Sequence, residues 1–246
     1  MGARQAPALT DVVGVVLATG RGYGLSGQGP DALCALDGVP LVAHAVRAMR
    51  ASGSVDAVVV CAPSGTAPQI GAALGVDAPD GPVTVVDECD HGVLARMSSL
   101  ARFVVMHDCW HPLAPPELVG RVLTAVEQSD VDVAVPVVDV TETVKELDPG
   151  GWIVRTVARE TLGQTQAPWG VRGGVLAEVW ADVATGSPAG VGCGVERIGG
   201  PDGPLWSLGR YRVATVTGHP DAFALRGPAD LDLAGAVLRV RSRTHG

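Results

Sequence analysis

The sequence predicts an α/β chain built on a doubly wound, mainly parallel β-sheet. Two observations carry this expectation. Short Val-rich runs, apolar on both faces, recur along the chain, as central strands of a covered parallel sheet do. Between them lie stretches with amphipathic helical spacing and a proline near the first turn. Strand then helix, repeated, is the rhythm of a doubly wound sheet. Composition agrees. A chain of 246 residues, 47% hydrophobic and 18% charged, can build a core, and aromatics at 4% leave Val, Leu and Ala to fill it. So high an apolar content argues against disorder. One domain over residues 1–246 is expected at this length.

The elements follow in order. Residues 12–19 form a nearly continuous apolar run that ends in a Gly-rich turn. Residues 55–62, 83–87, 103–108 and 131–138 read as further strands, and 40–51 and 115–127 as helices. After residue 140 the rhythm changes: 152–157 and 212–217 are strand candidates, 186–204 is a Gly- and Pro-rich loop, and 228–240 is a closing helix. Trp152, Trp169, Trp180 and Trp206 are expected in core or interface packing.

Charge and cysteine usage exclude several classes. The net charge of −8 disfavours nucleic acid and anionic membranes as partners. The short basic run Arg239, Arg241, Arg243 reads as a solvated tail. Of the 18 basic residues only Lys145 is a lysine, so any mechanism that needs a lysine must use it. Five cysteines without a C-x-x-C pair suit free thiols in a reducing compartment. The first residues lack the pattern of a signal peptide. No apolar run approaches the roughly 18 residues that span a bilayer. A cytoplasmic location is the expectation.

The Gly-rich turn runs Leu17-Ala18-Thr19-Gly20-Arg21-Gly22-Tyr23-Gly24. Glycines there let backbone N–H groups approach an anion, so Gly20 and Gly22 are candidates for nucleotide phosphate. No Gly-Lys-Ser/Thr follows, and the spacing is not a dinucleotide fingerprint. On this feature alone a structural turn and a phosphate cradle are equally open.

Its continuation carries more. The turn leads to Pro30-Asp31-Ala32-Leu33 and Leu36-Asp37-Gly38-Val39-Pro40-Leu41, which resembles the opening signature of the sugar-phosphate nucleotidyltransferases. Three stretches narrow the resemblance to the methylerythritol phosphate cytidylyltransferases. They are Val105-Met106-His107-Asp108-Cys109-Trp110-His111-Pro112 (V-H-D-A-A-R-P in that family), Pro136-Val137 with Glu142-Thr143-Val144-Lys145 (P-V-x-D-T-[IV]-K), and Pro228-Ala229-Asp230-Leu231-Asp232-Leu233-Ala234 (P-E-D-L-x-L-A). Gln166-Ala167-Pro168 echoes Q-T-P. The resemblance is collinear from about residue 12 to 240.

It implies a Rossmann-like, glycosyltransferase-A-like nucleotidyltransferase fold, with a β-arm at about 141–164 that crosses to a second subunit. Trp152-Ile153-Val154 would give that arm apolar contact, and a homodimer is expected. The implied reaction transfers CMP from CTP to 2-C-methyl-D-erythritol 4-phosphate and releases pyrophosphate, with Mg²⁺ as the metal. Such catalysis is positioning plus electrostatic stabilisation of in-line displacement. Carried over residue by residue, the family's metal-binding aspartate is Asp108 and its substrate-binding threonine is Thr143, with Lys145 close by. Its loop arginine falls on Gly24, its Pro-Lys lysine on Asp31, its A-R-P arginine on His111 and its late lysine on Ala224. Arg21 and Arg226 lie near lost cations and, with His111, are the candidate substitutes. The base-side motif G-G-x-x-R-x-x-S-V finds Arg96 and Ser99, and most of its helix reads as deleted.

Replacement of these fixed cations predicts a weakly active or inactive cytidylyltransferase. Two alternatives stay open. One is a non-catalytic or regulatory relative that binds a partner, such as an active cytidylyltransferase. The other is a nucleotidyltransferase of changed substrate. Each candidate also has a plain structural reading. Asp108 can cap the turn before Pro112, and Thr143 and Lys145 can line an exposed strand edge. His107, Cys109 and His111 offer zinc chemistry, but no second ligand cluster accompanies them.

Overall fold

The structure, a computed structural model, describes residues 11–19, 25, 30–76, 82–87, 91–184 and 210–244. The strands are β1 (Val12–Leu17), β2 (Ala35–Leu36), β3 (Val39–Pro40), β4 (Ala57–Ala62), β5 (Val83–Asp87), β6 (Phe103–Asp108), β7 (Val133–Asp139), β8 (Lys145–Leu147), β9 (Ile153–Thr156), β10 (Gly163–Thr165), β11 (Trp169–Arg172) and β12 (Val213–Thr217). The α-helices are α1 (Leu41–Ala51), α2 (Ala67–Leu74), α3 (His91–Leu100), α4 (Glu117–Val126), α5 (Gly173–Ala184) and α6 (Pro228–Thr244), with 3₁₀ turns at Asp31–Leu33 and Arg159–Thr161.

The main sheet runs β5-β4-β1-β6-β11-β7-β12, with β10 beside β7 on the side that β11 also occupies. Neighbouring strands pair in parallel, except that β11 runs antiparallel between β6 and β7 and β10 runs antiparallel to β7. Parallel pairing sends the carboxyl ends of β1, β4, β5, β6, β7 and β12 to one edge. Ligands of open α/β sheets bind beyond that edge. The expected doubly wound, mainly parallel sheet is the observed one.

Each strand of the Val-rich runs is covered on both faces because the alternation of side chains feeds two cores. One layer packs Val16, Leu41, Met49, Val60, Phe103 and Val122 under α1, α2 and α4. The other packs Leu17, Val104, Met106, Trp169, Leu176 and Trp180 under α3 and α5. Burying each large side chain contributes roughly 1.5–3 kcal/mol. Trp169 and Trp180 are core residues as expected, whereas Trp152 is 77% exposed; Trp206 lies outside the described residues.

Two expectations fail against this fold. A ten-residue α3 stands directly before β6, so the helix read as mostly deleted is present. Its Leu94 and Ser98 turn inward, and α5 approaches it so closely at Gly173 that a Cβ there would collide with the carbonyls of Ser98 and Ala101. The basic run near residue 240 is not a loose tail either. It continues α6 to Thr244, and Arg241 donates to Asp221 Oδ2 at 2.6 and 3.1 Å and to the Leu113 carbonyl at 3.3 Å. The Gly- and Pro-rich loop expected at 186–204 lies outside the described residues.

Among the described residues no helix is long and apolar enough to cross a membrane.

Candidate active site

The site is built at the carboxyl edge where β1 and β6 lie side by side. Leu17 and Asp108 are register partners, and the Cys109 N–H donates to the Leu17 carbonyl at 3.1 Å. The chain leaving β1 toward the Gly-rich turn therefore starts beside the Asp108 carboxylate. Gly20, Arg21 and Gly22 of that turn lie outside the described residues. Thr19, the last described residue before them, is 3% exposed, and its hydroxyl has no partner among the described residues.

Asp108 is held by its own turn. Its Oδ1 accepts hydrogen bonds from the Trp110 N–H at 2.9 Å and from His111 Nδ1 at 2.7 Å. Burial pushes its pKa up. The adjoining His111, the hydrogen bond from that ring, His107 and the Trp110 N–H outweigh burial and hold the carboxyl below the usual carboxylate range. An ionised oxygen donor at neutral pH fits Mg²⁺, which takes one or two protein carboxylates and completes its shell with phosphates and water. His107, on the same strand, is fully buried, with neither ring nitrogen bonded among the described residues, and burial lowers its pKa to about 4. Cys109 is buried, and burial raises its thiol pKa well above the ordinary value. No group of three His, Cys, Asp or Glu among the described residues comes together to hold a metal.

The loops around Asp108 are tied together by backbone and side chain. The Leu225 N–H donates to the Trp110 carbonyl at 2.8 Å, which sets the exposed Arg226 next to the turn that carries Asp108. Gln166, 3% exposed, donates to the His219 carbonyl at 2.8 Å and accepts from the His219 N–H at 2.9 Å. Arg121 donates to the carbonyls of Thr217 and Gly218 at 2.8 and 3.0 Å. Asp31, where the resemblance has a lysine, opens the 3₁₀ turn Asp31–Leu33 as a 9% exposed acid, and Ala224 is half-buried.

The remaining candidates lie elsewhere. Ser99 is exposed in the last turn of α3 and donates to the Arg96 carbonyl at 2.8 Å. It precedes the start of β6, so roughly 17 Å of strand separates its end of the sheet from that of Asp108. The end of α3 that faces the carboxyl edge is its first turn. Thr143 is exposed at the foot of a separate hairpin made by β8 and β9. Lys145 on β8 gives its ammonium to Thr156 Oγ1 at 2.7 Å across that hairpin. Sequence reasoning missed Arg159. Its Nη1 donates to the Thr141 carbonyl at 2.8 Å, which fixes a guanidinium two residues from Thr143. The signal was its place in the 141–164 stretch. The hairpin carries Leu147, Trp152, Ile153 and Val154, between 57% and 77% exposed.

A mainly parallel sheet with one antiparallel strand inserted beside β6, a Gly-rich turn after β1 and a carboxylate at the end of β6 define the nucleotidyltransferase class of α/β proteins, of glycosyltransferase-A-like fold. Comparisons with known proteins narrow the class. The family model described as IspD, 2-C-methyl-D-erythritol 4-phosphate cytidylyltransferase, matches residues 12–240. A relative of that name from Frankia casuarinae is 37% identical over 231 residues, covering 92% of this chain and 81% of its own. One from Saccharopolyspora erythraea is 35% identical over 242 residues, covering 92% and 99%. The crystal structure of 2-C-methyl-D-erythritol 4-phosphate cytidylyltransferase from Thermus thermophilus superposes with a TM-score of 0.64 at 26% identity, covering 92% of this chain and 98% of that one. The chain belongs to the 2-C-methyl-D-erythritol 4-phosphate cytidylyltransferase family.

Proposed function

We propose that this chain binds CTP and 2-C-methyl-D-erythritol 4-phosphate and transfers CMP between them with turnover well below that of an intact family enzyme. In this reaction an oxygen of the substrate phosphate bonds to the α-phosphorus of CTP, and the α-phosphorus–oxygen bond to pyrophosphate breaks. The observation that carries the reading is Asp108, ionised and braced at the carboxyl edge beside the turn that leaves β1. Asp108 would hold Mg²⁺, which, when bound, neutralises phosphate charge as the displacement proceeds. Thr143 and Arg159, at the foot of the hairpin, offer a hydroxyl and a guanidinium to a substrate phosphate. Arg226, exposed beside the Trp110 turn, supplies the cation that Ala224 lacks.

What weakens the site is the acid at Asp31, a half-buried alanine at 224 and an imidazole at His111, where the family resemblance has cations. One lost transition-state contact costs roughly 3–4 kcal/mol, so turnover should fall by at least two orders of magnitude. Pyrophosphate release from CTP, Mg²⁺ and methylerythritol phosphate is the test, beside an intact family enzyme. Slow but Asp108-dependent release is expected, and parity with the intact enzyme would overturn the weakened reading. A partner-binding role is the second reading, favoured by the exposed apolar hairpin. In that case millimolar CTP with Mg²⁺ leaves the melting temperature unmoved, because stabilisation follows occupancy. Under either reading the hairpin is proposed to pair two copies of the chain.

A further inference from the structure

We propose that His111 is a positioning residue for Asp108: it ties up Oδ1, so that a divalent cation arriving with the nucleotide meets Oδ2 alone. The inference rests on the nucleotide-binding reading above and assigns a task to a side chain which that reading counts only as a lost cation.

Three observations support it. First, both donors of the turn converge on one oxygen: the Trp110 N–H at 2.9 Å and His111 Nδ1 at 2.7 Å both end on Oδ1. No described residue donates to Oδ2. Two donors on one oxygen fix the carboxylate plane. Second, the ring is itself held. Its side chain is 11% exposed, the next residue is a proline that restricts the backbone before it, and the loop closes through Ala114 N–H to the His111 carbonyl at 3.1 Å. To donate from Nδ1, the ring must carry a proton there, so in the neutral form Nε2 holds the lone pair and the tautomer is set. Third, the described residues gather no three metal-binding side chains. One carboxylate oxygen fills a single place in a divalent ion's shell, which triphosphate oxygens and water are suited to complete. Partners that orient a metal ligand commonly govern metal affinity by 10–100-fold.

The test is uptake of Mn²⁺–CTP by the full-length chain, followed by electron paramagnetic resonance, beside binding of CTP without metal. H111A is expected to weaken Mn²⁺–CTP uptake about tenfold and to weaken metal-free CTP binding by clearly less. H111N, whose amide nitrogen can stand where Nδ1 stands, should restore uptake. H111Q, which places its donor farther out, should not. Melting temperatures check that each variant is folded.

Uptake by H111A equal to wild type, with uptake by D108N impaired, would overturn the inference and leave the nucleotide site standing. Equal loss of metal-free CTP binding in H111A would also overturn it, because His111 would then merely hold the loop. If the wild type takes up no Mn²⁺–CTP, the inference and the nucleotide-binding reading fall together.

Discussion

His107 sits on β6 beside Val16, fully buried, with neither ring nitrogen bonded among the described residues and a pKa lowered to about 4 by burial. The unfolded chain binds this proton near pH 6.5, so between that value and about 4 the unfolded state holds more protons than the native one. Native stability therefore falls as pH drops through that window. From pH 7 to pH 5 the loss from this group is about 2 kcal/mol, and urea denaturation at the two pH values measures it. His107→Leu removes both unpaired nitrogens and should flatten that dependence without lowering stability at pH 7. Asp108 acts in the same direction farther down. Its depressed pKa contributes stability above the unfolded value, lost as pH falls through the folded one. Gln166 makes a second prediction at this scale. Gln166→Leu strands the N–H and carbonyl of His219 and should cost about 2–3 kcal/mol, with faster amide exchange at Gly218 and His219.

Among the elements, α3 and α5 depend on one missing Cβ. Gly173→Ala would drive a methyl group into the Ser98 and Ala101 carbonyls, which are backbone and cannot swing aside. The expected cost is about 1–3 kcal/mol, seen as a lowered urea midpoint at unchanged slope. The same pair shows what the sequence leaves illegible. The long Val-rich strands and the proline-led helices α1 and α4 are readable because period and punctuation agree. Helix α3 combines a glycine in its first turn with two serines near its end, so its sequence carries little intrinsic helix signal. Strands β10 and β11, three and four residues long, are too short to show a period of two. They exist because β6 and β7 offer them paired edges, a tertiary fact.

Across the whole molecule, Asp108 could be found from the sequence because it ends an apolar strand. The capture of its Oδ1 by His111 could not, since a three-residue spacing forms a hydrogen bond only in the particular turn that β6 enters. Arg159 had a signal only in its place within the 141–164 stretch; the Thr141 carbonyl that fixes its guanidinium lies 18 residues away. The hairpin of β8 and β9 lies in the 141–164 stretch expected as an arm, and its exposed apolar residues are what the proposed pairing of two copies rests on. Trp152→Ser with Ile153→Ser should convert a dimer to a monomer in light scattering while the monomer's melting transition changes little. A wild-type monomer at micromolar concentration would remove the arm's proposed role.

From that hairpin the chain returns to the main sheet by a short path. Beyond Arg159 it enters β10, reaches Gln166, whose amide grips the backbone at residue 219, and then runs as β11 directly along β6. The projecting ribbon is thus continuous, through β10 and Gln166, with the His219 loop and with the strand beside β6. The proposed contact between two copies therefore lies one short stretch of chain from the Gln166–His219 bonds.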